Sequence, residues 1–177
     1  RMLLQKKFQK AVTILGRMSP NEVLQLKKIC RGIQASEERL LAASTELIQG
    51  CTQSCGGLCC RNLKSGQIID LYDFVFILTA APAMKPRIRK RVGHQPLDFT
   101  ADCVFLENGV GPCIFPFNTR PEVCITSFCG REEQIGAEIR QVTRRFAALR
   151  RFVLFQKPRR LQRRLQRLIP GRRPPGG

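Results

Sequence analysis

The chain has 177 residues, nine of them cysteine, and its 31 Lys and Arg against 13 Asp and Glu give a formal net charge of +18. A chain of this length can form one domain with a hydrophobic core of its own. Disulfide bonds are therefore not needed to stabilise the fold. No apolar run reaches the roughly 18 residues of a membrane span, and the first helix lacks a signal peptide's apolar stretch, so we expect a cytoplasmic protein.

The N-terminal part, residues 1–49, is predicted to be helical. Apolar residues recur at helical spacing up to Gly16, which is expected to end the first helix. The sequence Ser19-Pro20-Asn21-Glu22 has the form of a capping box and predicts the start of a second helix. Cys30 lies on the apolar stripe of that helix, so we interpret it as a core residue. A third helical segment is indicated by Leu40, Leu41, Leu47 and Ile48.

The other cysteines form two groups, and the first of them has the spacing C-x3-C-x3-C-C in a glycine-rich loop. Soft thiolates at this density are typical ligands of zinc and of iron–sulfur clusters. Disulfides and inert buried thiols are the alternatives. The predicted metal ligands are Cys51, Cys55, Cys59, Cys60, Cys103, Cys113, Cys124 and Cys129.

Between the two groups, the sequence predicts a short strand at 67–70 and a helix that Asp70 caps and Pro82 ends. Residues 85–91 are predicted to be an exposed basic loop. Beyond them, residues 103–113 contain Asn-Gly between β-prone runs and predict a hairpin. A two-residue turn would send the thiols of Cys103 and Cys113 to opposite faces. We favour a three-residue loop, which places them opposite each other.

The C-terminal part begins with a long amphipathic helix over 131–155, which Pro158 is expected to end. The tail that follows is rich in arginine, and we expect it to be flexible or to become helical on contact with a partner. Such basic runs attract nucleic acid or another polyanion, with a membrane surface less favoured. The predicted anionic-ligand surface comprises Lys85, Arg87, Arg89, Lys90, Arg91, Arg159, Arg160, Arg163, Arg164 and Arg167.

The chemistry outside the cysteines is sparse. His94 is the only histidine and has no visible partner, and no nucleophile or paired carboxylate motif is present, so a non-enzymatic role is favoured. Arg61 and Arg120 lie near predicted ligands in sequence, where they could lower the pKa of nearby thiols or donate hydrogen bonds to coordinated sulfur. Arg120 is better placed to brace the loop between Cys113 and Cys124.

The long-range cysteine pattern resembles the YkgJ-type cysteine cluster family, described as a zinc- or iron-chelating CxxCxxCC domain. The resemblance covers Cys51 to Cys129 and includes Cys59-Cys60-Arg61 and Arg120-Pro121, although each gap in the first group has one extra residue. It implies a metal-chelating domain with zinc or iron–sulfur left open.

The expected architecture is an α-dominated α+β fold, in which helices pack around a loop-and-hairpin cysteine core. The expected regions are an N-terminal helical segment (1–49), the cysteine cluster (50–130), a helix packed on the core (131–157) and a basic tail (158–177). The expected function is binding of zinc or an iron–sulfur cluster in a structural or electron-transfer role. The alternative is a zinc-stapled basic module that binds nucleic acid.

Overall fold

The structure is a computed structural model, and it describes residues 2–49, 60, 65–93, 103–107, 112–128 and 132–168. Within these ranges the fold is all-α, so the predicted α+β class is wrong. The α-helices are α1 (Met2–Gly16), α2 (Pro20–Ala43), α3 (Ser65–Ile68), α4 (Leu71–Ala80), α5 (Lys85–Gly93), α6 (Glu122–Thr126) and α7 (Gly136–Leu168). Short 3-10 turns span Pro82–Met84, Phe117–Thr119 and Glu132–Ile135.

Local sequence signals set the ends of the two N-terminal helices, as predicted. α1 ends at Gly16. The capping box at the start of α2 is confirmed, because the Ser19 side chain accepts from the Glu22 N–H while Glu22 Oε2 accepts from the Ser19 N–H at 2.7 Å. α2 continues through Leu40 to Ala43, so the predicted third segment starts inside this helix, and residues 45–49 are helical beyond Ser44.

The central element of the core is α4. Residues 74–77 are all fully buried, as expected for a helix that is apolar on every side. Phe8 of α1 packs edge-on against Phe74 with ring centroids 5.6 Å apart, and Phe146 of α7 packs edge-on against Phe76 at 5.2 Å. α2 packs along α7, so the helices enclose α4 between them.

α7 carries the apolar stripe that the sequence predicts, with Ile135 in the preceding turn. Its other buried members are Val142, Phe146, Leu149 and Val153, and Ile139 is half-buried. The prediction that Pro158 ends this helix is wrong, because the backbone stays helical to Leu168. Proline in a helix interior costs about 3 kcal/mol, whereas the surrounding Arg, Leu and Gln are among the residues that a helix accommodates at least cost. None of the described helices combines the length and apolar character needed to cross a bilayer.

The predicted hairpin at 103–113 is replaced by a turn and a single antiparallel bridge between Leu106 and Cys113. The Leu106 N–H donates to the Cys103 carbonyl at 3.1 Å, so the chain turns where the first strand was expected. The Glu107 N–H donates to the Pro112 carbonyl at 3.0 Å, while Pro112 itself has no N–H to donate to a ladder. The favoured register is therefore wrong, since Leu106 rather than Cys103 lies opposite Cys113.

Two further local predictions are wrong because tertiary contacts override propensity. The predicted strand at 67–70 is wrong, because its first residues belong to α3 (Ser65–Ile68). Lys7 caps the end of α3, since Lys7 Nζ donates to the carbonyl oxygens of Gly66 at 3.0 Å and Ile69 at 2.8 Å. The predicted basic loop at 85–91 is helix α5, because Ile88 and Val92 bury one side of it in the core. The prediction that Asp70 caps α4 is confirmed.

Candidate metal centre

The backbones of two predicted ligands, Cys60 and Cys103, meet directly. The Cys103 N–H donates to the Cys60 carbonyl oxygen at 2.8 Å. Cys103 is buried and Cys60 is half-buried against the hydrophobic core. This bond brings the end of the first cysteine group beside the start of the second group.

Cys113 joins this neighbourhood through its bridge to Leu106, in the turn that Cys103 begins. The Ile114 N–H donates to the Phe105 carbonyl at 2.9 Å, and the rings of Phe105 and Phe115 lie 4.7 Å apart. Both phenylalanines are buried and belong to the core. Aromatic packing therefore holds the Cys113 segment against the Cys103 turn.

Cys124 lies on α6, a short helix fixed by side chains of α4 and α7. Asp73 Oδ1 accepts from the Glu122 N–H at 3.0 Å, and Arg150 Nη2 donates to Glu122 Oε2. The Cys124 N–H in turn donates to the Pro121 carbonyl at 2.9 Å. The position of the Cys124 thiol thus depends on the contacts of Glu122.

The thiols of these cysteines influence one another electrostatically. Burial raises the pKa of the Cys124 thiol, and the neighbouring Cys103, Cys113, Asp73 and Cys60 raise it further by electrostatic repulsion. Burial also raises the pKa of Cys103 to about 11, with a smaller contribution from Cys113. The Cys60–Cys103 hydrogen bond, the bridge of Cys113 to the turn after Cys103, and the effect of these three thiols on Cys124 place the four cysteines in one neighbourhood. Cys60, Cys103, Cys113 and Cys124 are named here the thiol cluster.

Cys30 does not belong to the thiol cluster and lies in an apolar environment. It is 1% exposed on the buried face of α2, which confirms its interpretation as a core residue. Burial raises the pKa of its thiol to about 12, and a hydrogen bond with Thr79 lowers it. A neutral, buried thiol of this kind is inert.

The thiol cluster is not a complete ligand set by itself. Within the described part of the chain, no group of three or more Cys, His, Asp or Glu side chains has the geometry to hold a metal ion. Cys51, Cys55, Cys59 and Cys129 lie outside the described residues, so their predicted ligation is untested. Thiol donors suit a soft metal ion, and a complete site would need thiols from the thiol cluster together with some of these four cysteines. No disulfide joins two of the described cysteines.

Within the described residues, the guanidinium group of Arg120 interacts with the Phe117 ring and with the carboxyl group of Glu37. Its guanidinium carbon lies 3.7 Å from the centre of the Phe117 ring, and its charge acts on the buried carboxylate of Glu37. Arg120 Nε and both Glu37 carboxylate oxygens are buried with no hydrogen-bond partner in the described part of the chain. Arg61 lies outside that part. The expected hydrogen bonds from these two arginines to coordinated sulfur stay a prediction.

Sequence reasoning missed two buried carboxylates near the candidate centre. Glu37 lies at a core position of α2, on the buried face that carries Leu26, Cys30, Ile33 and Leu40. A charged residue at such a position is the sequence feature that could have indicated a buried carboxylate. Burial raises the pKa of Glu37 to about 9, although the charge of Arg120 lowers it. Asp73 completes a capping box with Asp70, which Asp-x-x-Asp spacing could have indicated. Burial, and then repulsion from Asp70, raise the pKa of Asp73 to about 7.

The predicted anionic-ligand surface is divided by the structure. Its first part lies on α5, where Arg87 forms a 2.6 Å ion pair with Glu107. The second part, from Arg159 to Arg167, lies on the helical backbone of α7, with side chains outside the described set. His94 also falls outside the described residues.

Comparison with known proteins finds no match: no family model, no curated protein and no solved structure is significantly similar to this chain. The resemblance to the YkgJ-type family therefore stays a prediction from the cysteine pattern.

Proposed function

We propose that this protein binds a thiophilic metal, as zinc or as an iron–sulfur cluster, through cysteines of its two groups. The observation that carries the proposal is the thiol cluster, in which Cys60, Cys103, Cys113 and Cys124 converge from separate chain segments. Burial keeps these thiols neutral in the absence of a cation, and a bound metal ion would favour the deprotonated thiolates that ligate it. The remaining ligands would come from Cys51, Cys55, Cys59 and Cys129.

The metal would add coordinate bonds that link separate segments of the chain. Zinc in such a site ties loops together, whereas an iron–sulfur cluster also supplies an electron-transfer centre. The chain's own contribution is to hold the sulfur atoms at the edge of the core, where the buried rings of Phe105 and Phe115 limit access of water.

The test compares metal content in two variants that each remove one buried thiol. Cys103→Ala is expected to lower the zinc or iron bound per chain at least tenfold, because the other side chains of the site cannot supply the missing thiolate. Cys30→Ala removes a thiol of similar burial away from the thiol cluster, and it is expected to retain the metal content of the wild type. Equal metal content in the two variants would contradict the proposal.

A further inference from the structure

The exposed side of α5 carries a concentrated positive charge next to an open cavity. The cavity has a volume of about 580 Å³ and is lined by Lys85, Pro86, Arg89, Lys90 and Gly93. Lys85, Arg89 and Lys90 are exposed side chains of this helix, and they are named here the α5 basic face.

The surroundings of the α5 basic face reinforce its charge. α5 contains five basic residues and no acidic one. The adjacent helix α1 packs against α5 and also lacks any Asp or Glu, while exposing Lys6 and Lys10. A patch of one sign on packed helices attracts polyanions, and its field falls off with ionic strength.

The apolar residues of α5 decide which polyanion fits best. Ile88 and Val92 are buried in the core, so α5 exposes no large apolar side chain that could insert into a lipid surface. An interfacial helix needs an exposed apolar face, which α5 lacks. α5 also has no aromatic residue on which a base could stack. The surface is therefore suited to the phosphate backbone of a nucleic acid, read without sequence preference.

We propose that the α5 basic face binds the phosphate backbone of nucleic acid, independently of the metal centre. Each of Lys85, Arg89 and Lys90 neutralises one phosphate and releases its condensed counterions. The expected consequence is an affinity that falls with salt, to which these three side chains contribute a slope of about 2 for single strands and about 3 for duplexes.

The experiment measures binding of the full chain to a fluorescent 20-nucleotide RNA and the matching duplex DNA between 50 and 300 mM salt. Lys85→Gln/Arg89→Gln/Lys90→Gln is expected to weaken binding at least tenfold at 50 mM salt and to reduce the salt slope by about 2 to 3. Lys27→Gln/Lys28→Gln/Arg31→Gln removes the same charge from exposed positions of α2 and is expected to weaken binding less than threefold.

A charge-preserving variant, Lys85→Arg/Arg89→Lys/Lys90→Arg, separates electrostatics from misfolding and is expected to bind as the wild type does. Vesicles of phosphatidylserine and phosphatidylcholine provide the lipid arm. The proposal is overturned if the full chain binds neither oligonucleotide at 50 mM salt, if the α2 variant loses as much affinity as the α5 variant, or if only vesicles respond to the α5 substitutions.

Discussion

The backbone N–H of Cys103 donates a 2.8 Å hydrogen bond to the carbonyl oxygen of Cys60, and this bond joins the two cysteine groups of the chain. The bond alone is weak, since a typical intramolecular hydrogen bond contributes about 1 kcal/mol. Ligation of a shared metal by both groups would make the junction much stronger. The stability of the protein should therefore depend on metal.

Removal of metal is the first prediction. A chelator in excess is expected to lower the free energy of unfolding by about 2 kcal/mol or more, because a ligand that binds only the folded state stabilises it. The helical core around α4 should persist, since most of its members are apolar side chains other than cysteine. Urea denaturation monitored by circular dichroism measures the effect. Cys103→Ala provides the control and should not respond to chelator.

The second prediction concerns the pH dependence that Glu37 imposes. Burial raises its pKa to about 9 from an ordinary value of 4.5. Between these values the unfolded chain has lost a proton that the folded protein keeps, so rising pH favours unfolding. Glu37→Gln removes this effect and should stabilise the protein by about 2 kcal/mol at pH 8, with little change at pH 4.5.

The measurement for Glu37 is the urea midpoint of both proteins at each pH. Glu38→Gln, a change at the exposed neighbouring position, should retain most of the pH dependence of the wild type, because the charge of Glu38 makes only a small contribution to the raised pKa of Glu37. A loss of stability in Glu37→Gln at pH 8 would mean instead that Glu37 is ionised and paired with Arg120.

Asp73 is the subject of the third prediction, because both of its carboxylate oxygens accept from backbone N–H groups. Oδ2 accepts from Asp70 at 2.7 Å and Oδ1 accepts from Glu122 at 3.0 Å. Asp73→Asn places an amide N–H against one of these donors and should cost about 2 kcal/mol at pH 8. Asp70→Asn is the control, since Asn caps a helix about as well as Asp. Equal thermal stabilities of the two variants would refute this role.

Lys7 gives the fourth prediction through its cap on α3. Its Nζ donates to the carbonyls of Gly66 and Ile69, and Lys7→Met leaves both without this donor. The expected loss of unfolding free energy is about 1 to 2 kcal/mol. Lys6→Met alters an exposed residue on the same helix and should change stability by less than about 0.5 kcal/mol. Urea denaturation compares the two, and matching losses would argue against the cap.

The parts of this fold that the sequence predicts are those that local chemistry decides. Ser19 and Asp70 cap helices because their side chains reach N–H groups nearby in the chain, and Gly16 ends α1 where the apolar stripe stops. The apolar stripe of α7 is equally local, since the spacing of its residues puts them on one face.

The features that sequence reasoning missed depend on contacts between distant segments. Residues 85–91 are helical because Ile88 and Val92 meet the core, a contact that the run of basic residues conceals. The register at Cys113 depends on the turn after Cys103 and on Pro112, rather than on the Asn-Gly pair alone. For the candidate site, the sequence predicted eight cysteine ligands, of which the structure describes Cys60, Cys103, Cys113 and Cys124, and their ligation stays a prediction. Nothing in the sequence indicated that Asp73 fixes the helix carrying Cys124.

The most direct test of the metal proposal is the zinc, iron and sulfide content of the full-length chain purified without oxygen, recorded together with its visible spectrum. We predict either a colourless protein with stoichiometric zinc or a brown protein with iron and sulfide whose colour bleaches on reduction. Protein that contains neither metal, and whose unfolding is unchanged by chelator, would contradict the account.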